Sequence, residues 1–157
     1  MWAGWYAGAC VAFLSPGLPA DELEHQLRDS GATTVFFQGA LAPKVLPITE
    51  AVGYADDRLI ALDNQARNGI RNWTALRTAG EVPVAERPPR PVIDAEKDAA
   101  LLTYTSATNV TVPLGVLNSH RNLLANTRQI YELDRDHIDW RKDKMLVSTR
   151  KRFISRI

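Results

Sequence analysis

Hydroxyl and amide side chains crowd one short stretch of the chain, YTSATNVTVPLG, which runs from Tyr104 to Gly115. Ser and Thr hydroxyls and backbone N–H groups bind phosphate oxygens when such a loop joins a strand to a helix. Loops of this kind usually contain glycines, which let the backbone approach the phosphate, and a lysine, which supplies positive charge. This stretch contains one glycine and no lysine. It is therefore either a nucleotide site, intact or degraded, or only a connection between a strand and a helix.

The residues on either side of this stretch predict the elements that would position it. The segment DAALLTYTS has an unbroken apolar centre, which predicts a strand buried on both faces, as in a parallel sheet. Ser119 is a favourable cap for a helix from His120 to about Asp136. The apolar spacing of that helix predicts that four side chains face the core: Leu123, Leu124, Ile130 and Leu133.

The N-terminal part of the chain predicts three further helices. The first runs from Trp2 to about Cys10 and is expected to pack closely, because its glycines let another backbone approach. The second lies between Pro19 and Gly31, and it is amphipathic because Leu23 and Leu27 fall four residues apart. The third, from Leu41 to Val52, is weakened by two prolines.

Two short strands are predicted from TTVFF and RLIALD, which are rich in β-branched, aromatic and aliphatic residues. The chain from Asn64 to about Pro91 lacks a clear period and ends in a proline-rich stretch, so it is expected to be an irregular connector. Strands and helices therefore alternate. The predicted fold class is α/β, with a partial, mostly parallel sheet and flanking helices.

The composition is that of a globular protein, with 45% apolar and 24% charged residues among 157. The net charge of +1 gives no reason to expect nucleic acid or an anionic membrane as a partner. The N-terminal apolar run is shorter than the roughly 18 residues of a membrane span and lacks a basic leader, which predicts a cytoplasmic protein. The single cysteine, Cys10, excludes an internal disulfide and is expected to be a buried, inert thiol.

The other titratable side chains predict no catalytic residue and no metal site. His25 is expected to be solvated, and His120, at a helix start, is interpreted as a capping or packing residue rather than a catalytic base. Three acids near the end of the last helix are interpreted as a solvated helix end rather than a cation site: Asp134, Asp136 and Asp139.

Two separate segments carry a resemblance to a known family. LLTYTSATNVTVPLGVLNSHRNLLAN resembles the phosphate-loop region of the AMP-forming adenylating enzymes, specifically acyl- and aryl-CoA ligases of the coumarate:CoA ligase type. Their usual pattern is Y-[ST]-S-G-T-T-G-x-P-K-G-V, followed by a short strand and T-H-R-N-L. WYAGACVAFLSPGLPADELEHQLRDSGATTVFF is similar to an earlier segment of the same family, and DWRKDKML to the approach to its next strand. The resemblance implies a fragment of the family's large N-terminal domain.

The resemblance implies a reaction and its cofactors. In such ligases the loop holds the ATP phosphates while a carboxylate attacks the α-phosphate, pyrophosphate leaves, and the thiol of coenzyme A captures the acyl-adenylate. ATP, magnesium and coenzyme A are thus the implied cofactors, and a small carboxylic acid is the implied partner. Carried over residue by residue, the family pattern assigns cofactor binding to Thr105, Ser106, Ala107, Thr108, Asn109 and Gly115.

The loop departs from the family pattern where the pattern is most demanding. Ala107 and Val110 replace the two glycines, Asn109 replaces the second threonine, Leu114 replaces the lysine, and one extra residue precedes Pro113. A side chain at a position that needs positive φ costs about 1–2 kcal/mol. A lost lysine contact removes about 1.5–3 kcal/mol. Together these changes would weaken ATP binding or its transition state by about two to three orders of magnitude.

The expected function is therefore that of a truncated, degenerate ligase domain, inactive alone. The family's adenine, ribose, magnesium and acyl-binding segments all follow the region present here. Residues 1–146 would form a partial ligase domain, and residues 147–157 a divergent basic tail. The last three residues, Ser155-Arg156-Ile157, are similar to the S-K-L signal, so a peroxisomal location is an alternative to the cytoplasm.

Two other functions remain as alternatives. The chain could be a non-catalytic binding or regulatory module that associates with a full-length relative through exposed sheet edges. The reading frame could instead be a gene-model artefact, because Val147-Ser148 can be encoded by GTAAGT, a common intron-donor sequence.

Overall fold

The computed structural model describes residues 1–65, 69–79, 83, 86–87, 89–105 and 112–135. Helices and strands alternate along this part of the chain, which confirms the α/β class. The helices are α1 (Trp2–Tyr6), α2 (Ala20–Ser30), α3 (Ala42–Val52), α4 (Trp73–Ala79) and α5 (His120–Asp134). The strands are β1 (Val11–Ala12), β2 (Val35–Phe37), β3 (Leu59–Ala61), β4 (Arg71–Asn72), β5 (Ala99–Tyr104) and β6 (Gly115–Ser119).

The strands form two three-stranded sheets, in the orders β1-β5-β6 and β2-β3-β4. Three of the four strand pairs are parallel, so the described sheets are mostly parallel, as predicted. The exception is the antiparallel pair of β5 and β6. In β5 only Ala100 and Leu102 are buried, while the alternate residues are half-buried. The prediction that this strand is buried on both faces is therefore wrong, because the residues on its second face are only partly covered.

The core lies between the helix pair α2 and α3 and the sheet of β2, β3 and β4. Leu23 and Leu27 of α2 pack against Ile48 of α3, as their spacing predicted. Gly31 ends α2 with a φ of 58°, a left-handed conformation that glycine adopts without a steric penalty. A second cluster joins α3 to the strands and consists of Phe37, Ala42, Val45, Leu59 and Ala61.

The N-terminal helix is shorter than predicted. It ends at Tyr6 rather than near Cys10, and Gly8 just beyond it has a φ of 75°. No residue of α1 is buried. A Cβ added to Gly8 would lie 2.8 Å from Pro91 Cγ, so the close neighbour of this glycine is a side chain and not the expected backbone. Cys10 is exposed, so its expected burial is wrong. The atoms around it still remove enough water to raise the pKa of its thiol.

The predicted irregular connector contains two short elements, β4 and α4. Strand β4 continues the second sheet, since Ile60 pairs with Arg71. Helix α4 begins after Asn72, whose side-chain oxygen accepts from the backbone N–H of Ala75 at 3.1 Å. An asparagine cap of this kind is a local helix-start signal, and it was the one feature of the sequence that could have revealed α4.

Helix α5 begins where the sequence predicted but does not face a core. Ser119 caps it in a capping box with Asn122. The helix packs on β5 and β6, and Leu123 is half-buried there. Three side chains that were expected in the core are instead exposed, namely Leu124 (67%), Ile130 (54%) and Leu133 (74%). The prediction was wrong because only one side of α5 has a partner among the described residues.

None of the helices in the described part of the chain has the length and apolar character that a membrane span requires.

Trp5 links α1 to the first sheet, so its replacement should lower the stability of the fold. Its indole N–H donates to the carbonyl of Ala100 at 2.7 Å, and Ala100 is fully buried. We expect Trp5→Phe to lower the free energy of unfolding by about 1–3 kcal/mol, because it removes a hydrogen bond at a buried strand. Trp2→Phe is the matched control, since Trp2 is 77% exposed. Equal urea-unfolding midpoints for the two variants would contradict this role.

Candidate functional site

The hydroxyl-rich loop connects β5 to β6, and the structure describes its two ends. Thr105 follows β5 directly, and Gly115 is the first residue of β6, paired in register with Tyr104. Four of the predicted site residues lie outside the described part of the chain: Ser106, Ala107, Thr108 and Asn109. The predicted domain boundary at residue 146 and the basic tail also lie outside it.

Two hydrogen bonds close the loop at its base. The backbone N–H of Thr105 donates to the carbonyl of Leu114 at 3.0 Å, and the N–H of Leu114 donates to Thr105 Oγ1 at 3.1 Å. We call these two residues, with the Tyr104–Gly115 pair behind them, the loop stem. The Thr105 oxygen acts as an acceptor here, so its hydroxyl proton remains available to donate to another group. The stem thus holds Thr105, one of the residues predicted to bind phosphate, at a fixed position.

The helix after the loop does not contribute its N-terminus to the same place. Strand β6 separates the stem from Ser119, which puts about 13 Å between them at about 3.4 Å per residue. A turn before β5 also covers the first helical N–H groups, since Arg121 N donates to the Ala95 carbonyl at 2.8 Å. The Arg121 guanidinium forms an ion pair with Glu96. Among the described residues, the N-terminus of α5 therefore does not lie beside the loop stem.

A side-chain contact from a distant part of the sequence lies directly behind the stem. The Tyr104 hydroxyl is 2.8 Å from Asp29 Oδ2 and 3.1 Å from the carbonyl oxygen of Gln26, both in α2. Burial raises the pKa of Tyr104, and the hydrogen bond to Asp29 and the negative charge of Asp29 raise it further. The phenol is therefore a firmly protonated donor. Sequence reasoning assigned no role to Tyr104 or Asp29, although both belong to the segments that carry the family resemblance.

Gly115 completes this arrangement by having no side chain. A Cβ built on it would lie 3.1 Å from Leu102 Cδ1, 3.3 Å from Asp29 Oδ2 and 3.4 Å from Tyr104 Cε1. Its φ is not in the left-handed region, so the requirement is one of space rather than of backbone conformation. The structure therefore explains this glycine by the packing of the stem against α2.

An open cleft of about 470 Å³ lies between β6 and α5. Its polar lining consists of carboxamides, which carry no charge: Asn118, Asn122, Asn126 and Gln129. Neither Thr105 nor Gly115 lines it. The cleft and the loop stem are thus separate features of the same hairpin and helix.

Among the described residues, no group of three or more His, Cys, Asp or Glu side chains comes close enough to hold a metal ion. Asp134 lies within the described range, whereas Asp136 and Asp139 lie outside it. His120 packs edge-on against Trp5 with 5.9 Å between ring centroids, which agrees with a packing role. His25 is half-buried rather than fully solvated.

The described elements form an α/β fold in which the hydroxyl-rich loop begins at Thr105, at the end of β5. A family model for AMP-binding enzymes matches residues 1–152, so the chain belongs to the AMP-binding enzyme family. The resemblance to AMP-forming adenylating enzymes is thereby confirmed.

The relatives are coenzyme A ligases. The chain is 28% identical to the long-chain-fatty-acid–CoA ligase of Salmonella typhimurium over 144 residues, which cover 79% of this chain and 25% of that protein. The Bacillus subtilis ligase of the same name is 27% identical, with 78% and 25% covered. The chain thus spans about a quarter of the length of these relatives.

The peroxisomal alternative rested on Ser155-Arg156-Ile157, which lies outside the described residues. The relatives give no support to it.

Solved structures agree on the fold. A long-chain-fatty-acid-CoA ligase from Archaeoglobus fulgidus superposes with a TM-score of 0.69 at 28% identity, covering 83% of this chain and 24% of that one. A red-emitting luciferase from Phrixothrix hirtus gives a TM-score of 0.63 at 20% identity, covering 76% and 29%. The luciferase likeness is one of fold alone.

Because the pKa of Tyr104 is raised, the stability of the protein should depend on pH in the alkaline range. The folded state keeps the phenol neutral above its ordinary pKa of about 10, so this contribution is complete below about pH 10 and is lost as the pH rises further. We expect Tyr104→Phe to lose less stability than the parent chain between about pH 9 and pH 11. Urea unfolding at each pH measures this. Parallel losses in both proteins would contradict the assignment.

Proposed function

We propose that this chain supplies the phosphate-loop part of the large domain of an AMP-forming acyl- or aryl-CoA ligase. The parent reaction joins a carboxylate to AMP from ATP, releases pyrophosphate, and then forms a thioester with coenzyme A. The family uses ATP, magnesium and coenzyme A. The observation that carries the proposal is the closed loop stem, in which Thr105 and Leu114 hold the two ends of a hydroxyl-rich loop together.

The phosphate contacts come from the loop and its first stem residue. Thr105, Ser106 and Thr108 donate hydroxyl protons to phosphate oxygens, the Asn109 amide adds a further donor, and Ala107 offers its backbone N–H. Gly115 acts indirectly, because its lack of a side chain lets the stem pack against α2. No residue is assigned as a catalytic acid or base, and no step is assigned to a metal held by the described residues.

The loop as it stands binds ATP weakly, and the chain does not turn over alone. Leu114 occupies the position of the family's lysine, so no positive charge meets the phosphates there. Its side chain is 59% exposed, and the stem uses only its backbone groups. A lysine would therefore fit at this position without burial of its charge. Ala107 and Val110 also stand where the family pattern has glycine, which lets the backbone approach a phosphate.

Restoring the family pattern should restore nucleotide binding. We expect a variant that combines Ala107→Gly, Val110→Gly and Leu114→Lys, the repaired-loop variant, to bind ATP more tightly by about two orders of magnitude. Leu133→Lys adds the same charge on an exposed site of α5 and is the matched control. Isothermal titration calorimetry measures both affinities. No gain in the repaired loop, or an equal gain in the control, would contradict phosphate binding by this loop.

The proposed absence of turnover is tested separately, by measuring pyrophosphate release. ATP-dependent and carboxylate-dependent pyrophosphate release should be undetectable for the unmodified chain. Release that falls on Thr105→Ala would overturn the proposed inactivity.

A second function is favoured by the exposed apolar side chains of α5. Leu124 and Tyr131 are 67% and 63% exposed and lie seven residues apart on one side of the helix. Apolar surface of this kind is typical of association sites. On this alternative the chain is a non-catalytic module that pairs with a full-length ligase of the same family, and exposed edges of its sheets extend the contact.

The module predicts a defined complex. A purified full-length ligase from the same organism should co-elute with this chain in light-scattering chromatography. Combining Leu124→Glu with Tyr131→Glu should abolish the complex, because it places two charges in the apolar contact. The control combines Asn126→Glu with Gln129→Glu, which add the same charges at polar positions of the helix. Loss of the complex in both variants, or in neither, would argue against this surface.

A further inference from the structure

The contact between Tyr104 and Asp29 joins two parts of the molecule that are far apart in sequence. Tyr104 ends β5 in the first sheet, and Asp29 lies near the end of α2, which packs with the second sheet through α3. The two residues are 75 positions apart, and their oxygens are 2.8 Å apart. A hydroxyl that donates to a carboxylate forms one of the stronger hydrogen bonds in proteins, because the acceptor carries charge.

This contact lies directly behind the stem and can therefore affect the position of the loop ends. Tyr104 immediately precedes Thr105, whose backbone and hydroxyl close the stem. On the opposite strand, Gly115 leaves just enough space for Asp29 and Tyr104 to meet. Strands β5 and β6 and helix α2 therefore converge on a single point directly behind the stem. The position of α2 is itself held by its packing, since Leu23 and Leu27 contact Ile48 of α3.

We propose that Asp29 and Tyr104 are positioning residues for the phosphate loop. Their hydrogen bond anchors the stem to the end of α2 and so fixes where the Thr105 hydroxyl lies. The effect on ATP rests on the proposed function. The effect on the stem does not, because it follows from contacts among described residues alone.

The stem can be tested first without any ligand. Amide hydrogen exchange measured by NMR reports the two stem bonds through the N–H groups of Thr105 and Leu114. We expect Tyr104→Phe and Asp29→Leu each to speed exchange at these amides by about tenfold, as expected for loss of a charge-assisted hydrogen bond. Asp29→Asn keeps an acceptor oxygen at the same position and should retain most of the protection.

Tyr54 provides a matched control. Its hydroxyl also donates to a backbone carbonyl, that of Ala32, at 2.6 Å, and burial also raises its pKa. Tyr54→Phe removes a tyrosine hydrogen bond of similar kind at the junction of α2 and α3, between two residues that are not part of the stem. We expect it to leave exchange at Thr105 and Leu114 unchanged relative to global unfolding. Unchanged stem exchange in Tyr104→Phe, or an equal change in Tyr54→Phe, would overturn the positioning role.

The consequence for phosphate binding is measured in the repaired-loop variant, with ATP as the probe. Adding Tyr104→Phe or Asp29→Leu should weaken ATP binding about five- to tenfold, whereas Asp29→Asn and Tyr54→Phe should change it less than twofold. Faster stem exchange with unchanged ATP affinity would overturn the positioning role and leave the proposed function standing. A repaired loop that binds no ATP would instead refute the proposed function, and the exchange data would then decide the anchor alone.

Discussion

The closure of the β5–β6 connection is the constraint on which the rest of the site depends. Short polar loops lose much conformational entropy when they bind a ligand, so their ends must be held before the ligand arrives. Here the Tyr104–Gly115 pair and the two bonds between Thr105 and Leu114 hold them. The contact of Tyr104 with Asp29 then ties the closed stem to a helix that is fixed by its own core.

The sequence predicted the ends of helices well wherever a capping residue or a helix-ending glycine marked them. Gly31 ends α2 and Ser119 starts α5 as expected, because caps and left-handed glycines act within one turn of the chain. Burial was predicted less well, since a pattern identifies the apolar residues but not the surface that covers them. Leu124 and Leu133 are apolar and exposed for this reason. Strand β4 was missed because two residues carry too little periodicity to detect.

The same contrast between local patterns and long-range contacts applies to the candidate site. Thr105 and Gly115 could be proposed as site residues from the sequence, because they occupy positions of a family pattern. The anchor between Tyr104 and Asp29 could not, since a polar contact across 75 residues leaves no periodic trace. The tight space at Gly115 could not be predicted either, because only the folded chain brings Leu102 and Asp29 within 3.1 and 3.3 Å of the position that a Cβ would take.

The scaffold and the phosphate ligands of this chain can change independently, and Leu114 shows how. Its backbone N–H and carbonyl close the stem, and neither bond depends on the side chain. The side chain itself is mostly exposed, so a change between lysine and leucine leaves the hairpin intact while it removes a charge from the loop. Trp5 and Tyr104 likewise hold the sheet and the stem from outside the altered loop positions. The scaffold is therefore the part that this chain shares with its family, whereas the proposed phosphate binding also depends on the side chains of a few loop residues.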